Sequence, residues 1–259
     1  MIVRDDRGPI ACIRLAHGKA SALDLELCGA LVGELDAIEH SEAHRAVVLT
    51  GTGSIFSAGV DLFQVLERGA PYVAALLPAL ERAMLRLFTF PRPVVGALNG
   101  HAIAGGCVLA SACDYRIMAE GEGTIGLPEL RVGVPFPRAA LEIVRSATAP
   151  LRFRALIHRG DTVTPEVAER RGLVDEVVPP ERLLDRACEV AAELASIPAR
   201  AFEITKRQIL EPSLDAIERA RAAGEEDVAA AWKDPGTHNT IRAYLEKTLG
   251  RKGDRRKGD

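Results

Sequence analysis

Strand-length apolar runs and helix-spaced apolar repeats alternate along the first half of this chain. Ile10–Leu15 is a strand-length run entered through Gly8-Pro9, and residues 18–24 read as a loop. From Leu25 to His40 apolar residues recur at 27, 31, 35 and 38, the spacing of one helix face. Ala46–Thr50 is a short β-branched strand, followed by the Gly- and Ser-rich segment GTGSIFSAGVDL, residues 51–62. A helical pattern starts at 62–66, and a longer helix is predicted over 72–88, with apolar positions at 73, 76, 77, 80, 84, 87 and 88. The region between Leu66 and Leu87 is expected to wall one side of a pocket. Pro91 and Pro93 stop the helix and hand over to a strand at Val94–Leu98. A turn at Asn99-Gly100, an Ala-Gly-Gly step at 104–106, a small-residue helix over 107–113 and a strand over 114–118 follow. Strands alternating with helices predict an α/β fold.

The second half is mostly helical. Ile125 to Val134 is apolar but interrupted at Pro128, so it is not a plain helix. Thr164-Pro165-Glu166 has the composition of a helix start, and Gly172 of its end. A strand is predicted over 173–178, then helices near 181–196, 199–210, 214–232 and 236–249. Leu183, Leu184, Ala187, Ala191 and Leu194 give the first of these an apolar face, expected to exceed what one small helical layer buries alone. The chain divides on this basis into an α/β core (1–195), a C-terminal helical region (196–250) and a charged tail, RKGDRRKGD (251–259), expected to be disordered.

Composition narrows the class. The 259 residues are 47% apolar but only 4% aromatic, so the core is built from Ala, Leu, Val and Ile. A net charge of −3 argues against a nucleic-acid partner, and no run reaches transmembrane length. The N-terminus lacks a secretory h-region. Five cysteines with no C-x-x-C pair fit reduced thiols in a cytoplasmic protein. No phosphate loop, H-E-x-x-H or G-x-S-x-G is present, and the six histidines show no metal-ligand spacing, so neither a metal nor a separate cofactor is expected. His101 reads as a turn or packing residue, and Cys107 and Cys113 as small core residues.

Candidate chemistry centres on the glycine turn after Leu98. Glycines there permit close helix–strand packing, or they let a ligand reach backbone N–H groups at a helix start. If the strands ending at Thr50 and Leu98 are neighbours, the loops after them lie side by side and can offer one N–H each to a single oxygen. The segments IFSAGVDL (55–62), PRPVVGALNGHAIAGGCVLASACDYRI (91–117), IGLPELRVGV (125–134) and GDTVTPEVAERRGLVDEVVP (160–179) together resemble the crotonase (enoyl-CoA hydratase/isomerase) superfamily, in that family's order over nearly the whole chain.

The resemblance implies a spiral of ββα units with C-terminal helices that build a trimer or a dimer of trimers. It implies an acyl-CoA thioester as ligand, with coenzyme A part of the substrate. Carried over, the oxyanion-hole amides fall on Val60 and Gly105. Ala58, Asp61, Leu62, Gly106 and Val108 fall on the CoA and acyl side, although Asp61 also reads as a helix cap. Hydratases of the family carry two glutamates. Here the first position is Val108 and the second is Glu129, with Glu120, Glu122 and Glu142 as substitute acids to be tested. Moving a double bond from C3 to C2 needs one base, so the pattern is closest to the Δ3-Δ2-enoyl-CoA isomerases. Ile125, Leu127, Leu130 and Val132 surround Glu129 in sequence and would raise its pKa. The alternatives are an enoyl-CoA hydratase or related lyase, and a non-catalytic acyl-CoA-binding protein.

Overall fold

The computed structural model describes residues 1–224 and 226–255. Its frame is two sheets. The larger has six strands in the order β1 (Ile2–Arg7), β2 (Ile10–Leu15), β3 (Ala46–Thr50), β5 (Val94–Leu98), β7 (Tyr115–Ala119) and β10 (Glu176–Val178). The smaller has β4 (Ile55–Ser57), β6 (His101–Ile103), β8 (Ile125–Gly126) and β9 (Thr162–Val163) in that order. Three successive segments each give one strand to the large sheet, one to the small sheet, and then a helix. These are β3–β4–α2 (Leu62–Phe88), β5–β6–α3 (Gly105–Ser111) and β7–β8–α4 (Glu129–Val132). This is the ββα spiral expected from the sequence. Within the large sheet every pair except the β1–β2 hairpin is parallel.

All five residues of β3 and of β5 are buried, as in a parallel sheet covered on both faces. On one face Val47, Leu49, Val94 and Leu98 pack with α1 (Leu25–Glu39), α2 and α3. On the other, Ala46, Val48, Val95 and Ala97 pack against Leu183, Ala187, Val190 and Ala191 of α8 (Leu183–Ala195). The apolar face of α8, expected to seek a partner subunit, is therefore used within its own chain. The remaining helices are α5 (Arg138–Ala147), α6 (Pro150–Arg159), α7 (Pro165–Arg170), α9 (Ala199–Ala223), α10 (Glu226–Lys233) and α11 (Pro235–Arg255). α9 lies on α5, while α10 and α11 return across α2 and α4. No helix among the described residues is long and apolar enough to cross a membrane.

Several boundaries differ from the sequence reading. β1 was not expected; five of its six residues are exposed, so it has no burial period to read. The helices expected over 62–66 and 72–88 form one element with a kink at Gly69, whose φ of 64° and ψ of −154° leave the helical region. A break expected between 210 and 214 is absent: α9 runs through Pro212 and ends at Gly224, with φ at 81°. An interior proline costs about 3 kcal/mol. Leu210 and Ile217, buried on either side of it, each return roughly 1.5–3 kcal/mol and outweigh that cost. α11 continues to Arg255, five residues into the stretch expected to be a free tail, because extending an existing helix avoids the cost of nucleation. Residues 256–259 of that tail lie outside the described residues.

Candidate active site

β3 and β5 are adjacent and parallel, pairing Val47 with Val94 through Thr50 with Ala97. The two loops that follow therefore start side by side. Asn99 fixes them together: its Oδ1 accepts from Gly51 N–H at 2.7 Å and its Nδ2 donates to Gly53 O at 2.8 Å. Farther along, Gly59 and Gly105 touch. A Cβ at Gly59 would lie 2.8 Å from Gly105 N, and Gly59 has φ at 81°, so no other residue fits there without strain.

A third segment, missed in the sequence, completes this arrangement. The loop before α1 runs beside 57–61: Ala58 N–H donates to Ala20 O, Leu23 N–H to Gly59 O, and Asp61 N–H to Leu23 O. That ladder uses the groups on either side of Val60 and not the Val60 N–H. Gly105 opens α3, and the first N–H groups of a helix have no carbonyl partner inside it. The residue before it, Ala104, has φ 54° and ψ −123°, a backbone region that favours glycine. Val60 and Gly105 both line one cavity of about 700 Å³.

That cavity is also lined by Ala58, Asp61, Leu62, Val108 and Glu129, so seven of the eight residues expected at the site border it. Gly106 does not. Its α-carbon lies against Ser57, where a Cβ would overlap the Ser57 carbonyl, so its glycine serves helix–loop packing. Asp61 accepts from Phe63 N–H at 3.0 Å and Gln64 N–H at 3.1 Å, capping α2 as well as facing the cavity. His101 Nδ1 accepts from Thr124 N–H at 3.1 Å, a structural bond.

Glu129 stands at the start of α4. Its side chain is buried, and Oε2 has no hydrogen-bond partner among the described residues. Burial pushes its carboxyl up to about 8, against an opposing pull from its own backbone N–H. Glu120 and Glu122 are exposed and away from the cavity. Glu142 is buried on α5, paired with Arg138 at 2.9 Å and Arg145 at 3.1 Å, and does not line the cavity. Of the other lining acids, Asp61 caps α2, Glu81 pairs with Arg221 at 2.6 Å, and Glu26 is exposed.

Asp24 caps α1 through Leu27 N–H at 2.7 Å and holds His17 Nε2 at 2.7 Å and Gln64 Nε2 at 3.1 Å. Burial works to raise its pKa, but these bonds win and hold the carboxyl below its usual range. His17, Asp24 and Glu26 have ligand-type atoms within 4.8 Å of one another. Both Asp24 oxygens already accept the bonds just described.

The far wall combines α2 with residues from the C-terminal helices and the segment before α5. Met84 of α2, Phe136, Ala140 of α5, Trp232 of α10, and Tyr244 and Leu245 of α11 make it apolar. Trp232 Nε1 donates to Pro135 O at 2.9 Å and holds the indole in place. Met84, with Leu80, fulfils the expectation that the middle of α2 walls the pocket. The C-terminal contributions had no local signal, because only the tertiary return of α10 and α11 brings them here.

The sequence profile of the enoyl-CoA hydratase/isomerase family matches residues 5–251. Mitochondrial enoyl-CoA delta isomerase 1 of Rattus norvegicus is 29% identical over 255 residues, covering 98% of this chain and 88% of that protein. A putative enoyl-CoA hydratase of Thermus thermophilus is 34% identical over 253 residues, covering 95% of this chain and 98% of that one. The crystal structure of human mitochondrial delta3-delta2-enoyl-CoA isomerase superimposes with a TM-score of 0.92 at 27% identity, covering 97% of this chain and 99% of that one.

Proposed function

Since the chain belongs to the enoyl-CoA hydratase/isomerase family, we propose that it shifts a 3-enoyl-CoA double bond to the 2-position with one glutamate base. The thioester oxygen sits between the N–H groups of Val60 and Gly105, which take up the negative charge of the enolate as it forms. Glu129 removes a proton from C2 and returns it to C4, so no water or external acid enters the balance. Coenzyme A arrives with the substrate, and the reading requires no other cofactor and no metal. The observation that carries it is the buried Glu129 carboxyl, whose Oε2 has no hydrogen-bond partner among the described residues, lining the same cavity as Val108, where a hydratase would keep its second acid. A pKa of about 8 makes Glu129 a stronger base than a solvent-exposed glutamate. The apolar far wall favours an unsubstituted hydrocarbon acyl chain.

The test supplies purified protein with 3-enoyl-CoA and with 2-enoyl-CoA. Double-bond shift is expected to dominate over 3-hydroxyacyl-CoA formation, and Glu129→Gln is expected to lower turnover by roughly 10²–10⁴ while binding persists. Hydration as fast as isomerisation would make the protein a hydratase, with Glu129 joined by a second acid. Binding without turnover would leave an acyl-CoA-binding protein. Five free cysteines support a reducing, cytoplasmic setting.

A further inference from the structure

On the face of the large sheet away from the cavity, two cysteines far apart in sequence meet. Cys12 of β2 and Cys188 of α8 have their sulfurs 3.7 Å apart. Cys12 is buried and Cys188 half-buried, so Cys188 is the residue of the pair nearer to solvent. Arg7 lies next to Cys188 and is held by Asp185 at 2.9 Å. We propose that Cys12 and Cys188 form a peroxide-sensitive thiol pair that closes to a disulfide between β2 and α8.

The chemistry follows from the asymmetry of the two sites. The bond from Cys12 and the charge of Arg7 pull the Cys188 thiol below its usual range, against burial. The same bond, with burial, pushes Cys12 up. Cys188 is thus the thiolate that attacks, and Cys12 the thiol that resolves. The Cys188 sulfur displaces hydroxide from hydrogen peroxide and becomes a sulfenic acid. The Cys12 sulfur then attacks it, the S–O bond breaks, and water leaves with the Cys12 proton. Two electrons pass from the two sulfurs to one peroxide. The sulfurs close by about 1.7 Å, from 3.7 Å to the roughly 2.0 Å of a disulfide.

The other three cysteines provide an internal control. Cys28, Cys107 and Cys113 are buried, and burial pushes each thiol up to about 12. They should stay reduced at peroxide concentrations that oxidise Cys188.

The experiment treats the full-length protein with hydrogen peroxide, alkylates the remaining thiols, and digests with trypsin without reduction. The expected product is peptide 8–14 joined to peptide 187–200, two hydrogens lighter than their sum, from protein that runs as a monomer on a non-reducing denaturing gel. The link closes a loop of well over a hundred residues in the unfolded chain, so the melting temperature should rise by roughly 5 °C and return with dithiothreitol. Cys188→Ser should abolish both the joined peptide and the rise. Oxidation of Cys188 to sulfinic acid without the joined peptide would overturn the proposal. So would a link only between two chains, a link through Cys28, Cys107 or Cys113 instead, or a reversible rise in melting temperature that survives Cys188→Ser.

Discussion

With Glu129 as the proposed base, activity and stability depend on pH in opposite directions. Its carboxyl titrates near 4.5 when free and near 8 in the fold. Between those values the folded chain holds a proton that the unfolded chain has lost, so stability falls as pH rises across that window and levels off above it. The cost at pH 8 is of the order of a few kcal/mol. Glu129→Gln, which cannot ionise, should melt roughly 5–10 °C above wild type at pH 8 and within a degree or two of it at pH 4, read by thermal melts at both values. The kcat/KM of wild type should rise with pH through about 8, where the base gives up its proton. Ala104 makes a second residue-scale case. It holds φ 54° and ψ −123° beside Gly105, a conformation that costs a side-chain-bearing residue about 1 kcal/mol or more. Ala104→Gly should therefore raise the melting temperature by about 2–4 °C. Its turnover should stay within a few-fold of wild type, and a drop in melting temperature would show that the alanine methyl contributes more than the strain costs.

The elements that were legible in the sequence are those with a burial period of their own. α1, with Leu27, Leu31, Leu35 and Ile38 buried, is one; the fully buried β3 and β5 are others. The loops after Thr50 and Leu98 were readable because their glycines follow those strands. Strands of the small sheet were not, since two or three residues are too short for any period to show. Nor was the loop before α1, whose part in the site consists of backbone bonds from Ala20 and Leu23 that no side chain announces. The same limit hid the C-terminal wall. α10 carries Trp232 to the cavity and Pro135 fixes it there. Trp232→Leu should move the preferred acyl chain to greater length, measured as kcat/KM across 3-enoyl-CoA substrates of increasing size. It should also destabilise the protein by about 1–3 kcal/mol through the lost hydrogen bond and packing. An unchanged length profile would place the chain's terminus against another part of the wall.

At the scale of the whole molecule, assembly is the open expectation. α8 is covered by its own sheet, so the case rests on other positions. Ile197 and Ile209 are exposed at 40% and 68%, and both border a groove between α9 and the start of β7. With the family relationship this leads to a homotrimer or a dimer of trimers, checked by light scattering at micromolar concentration. Three or six chain masses are expected, and a monomer would remove assembly from the proposal. The cavity also has an order of manufacture. Its loop at 17–24 is made first, its amides and Glu129 next, and Trp232, Tyr244 and Leu245 of the far wall last. A chain emerging from the ribosome therefore carries Val60, Gly105 and Glu129 long before it carries the wall that closes the cavity. Until translation reaches α10 the cavity lacks this wall, so on the proposed function a growing chain has little means of trapping acyl-CoA before it is finished.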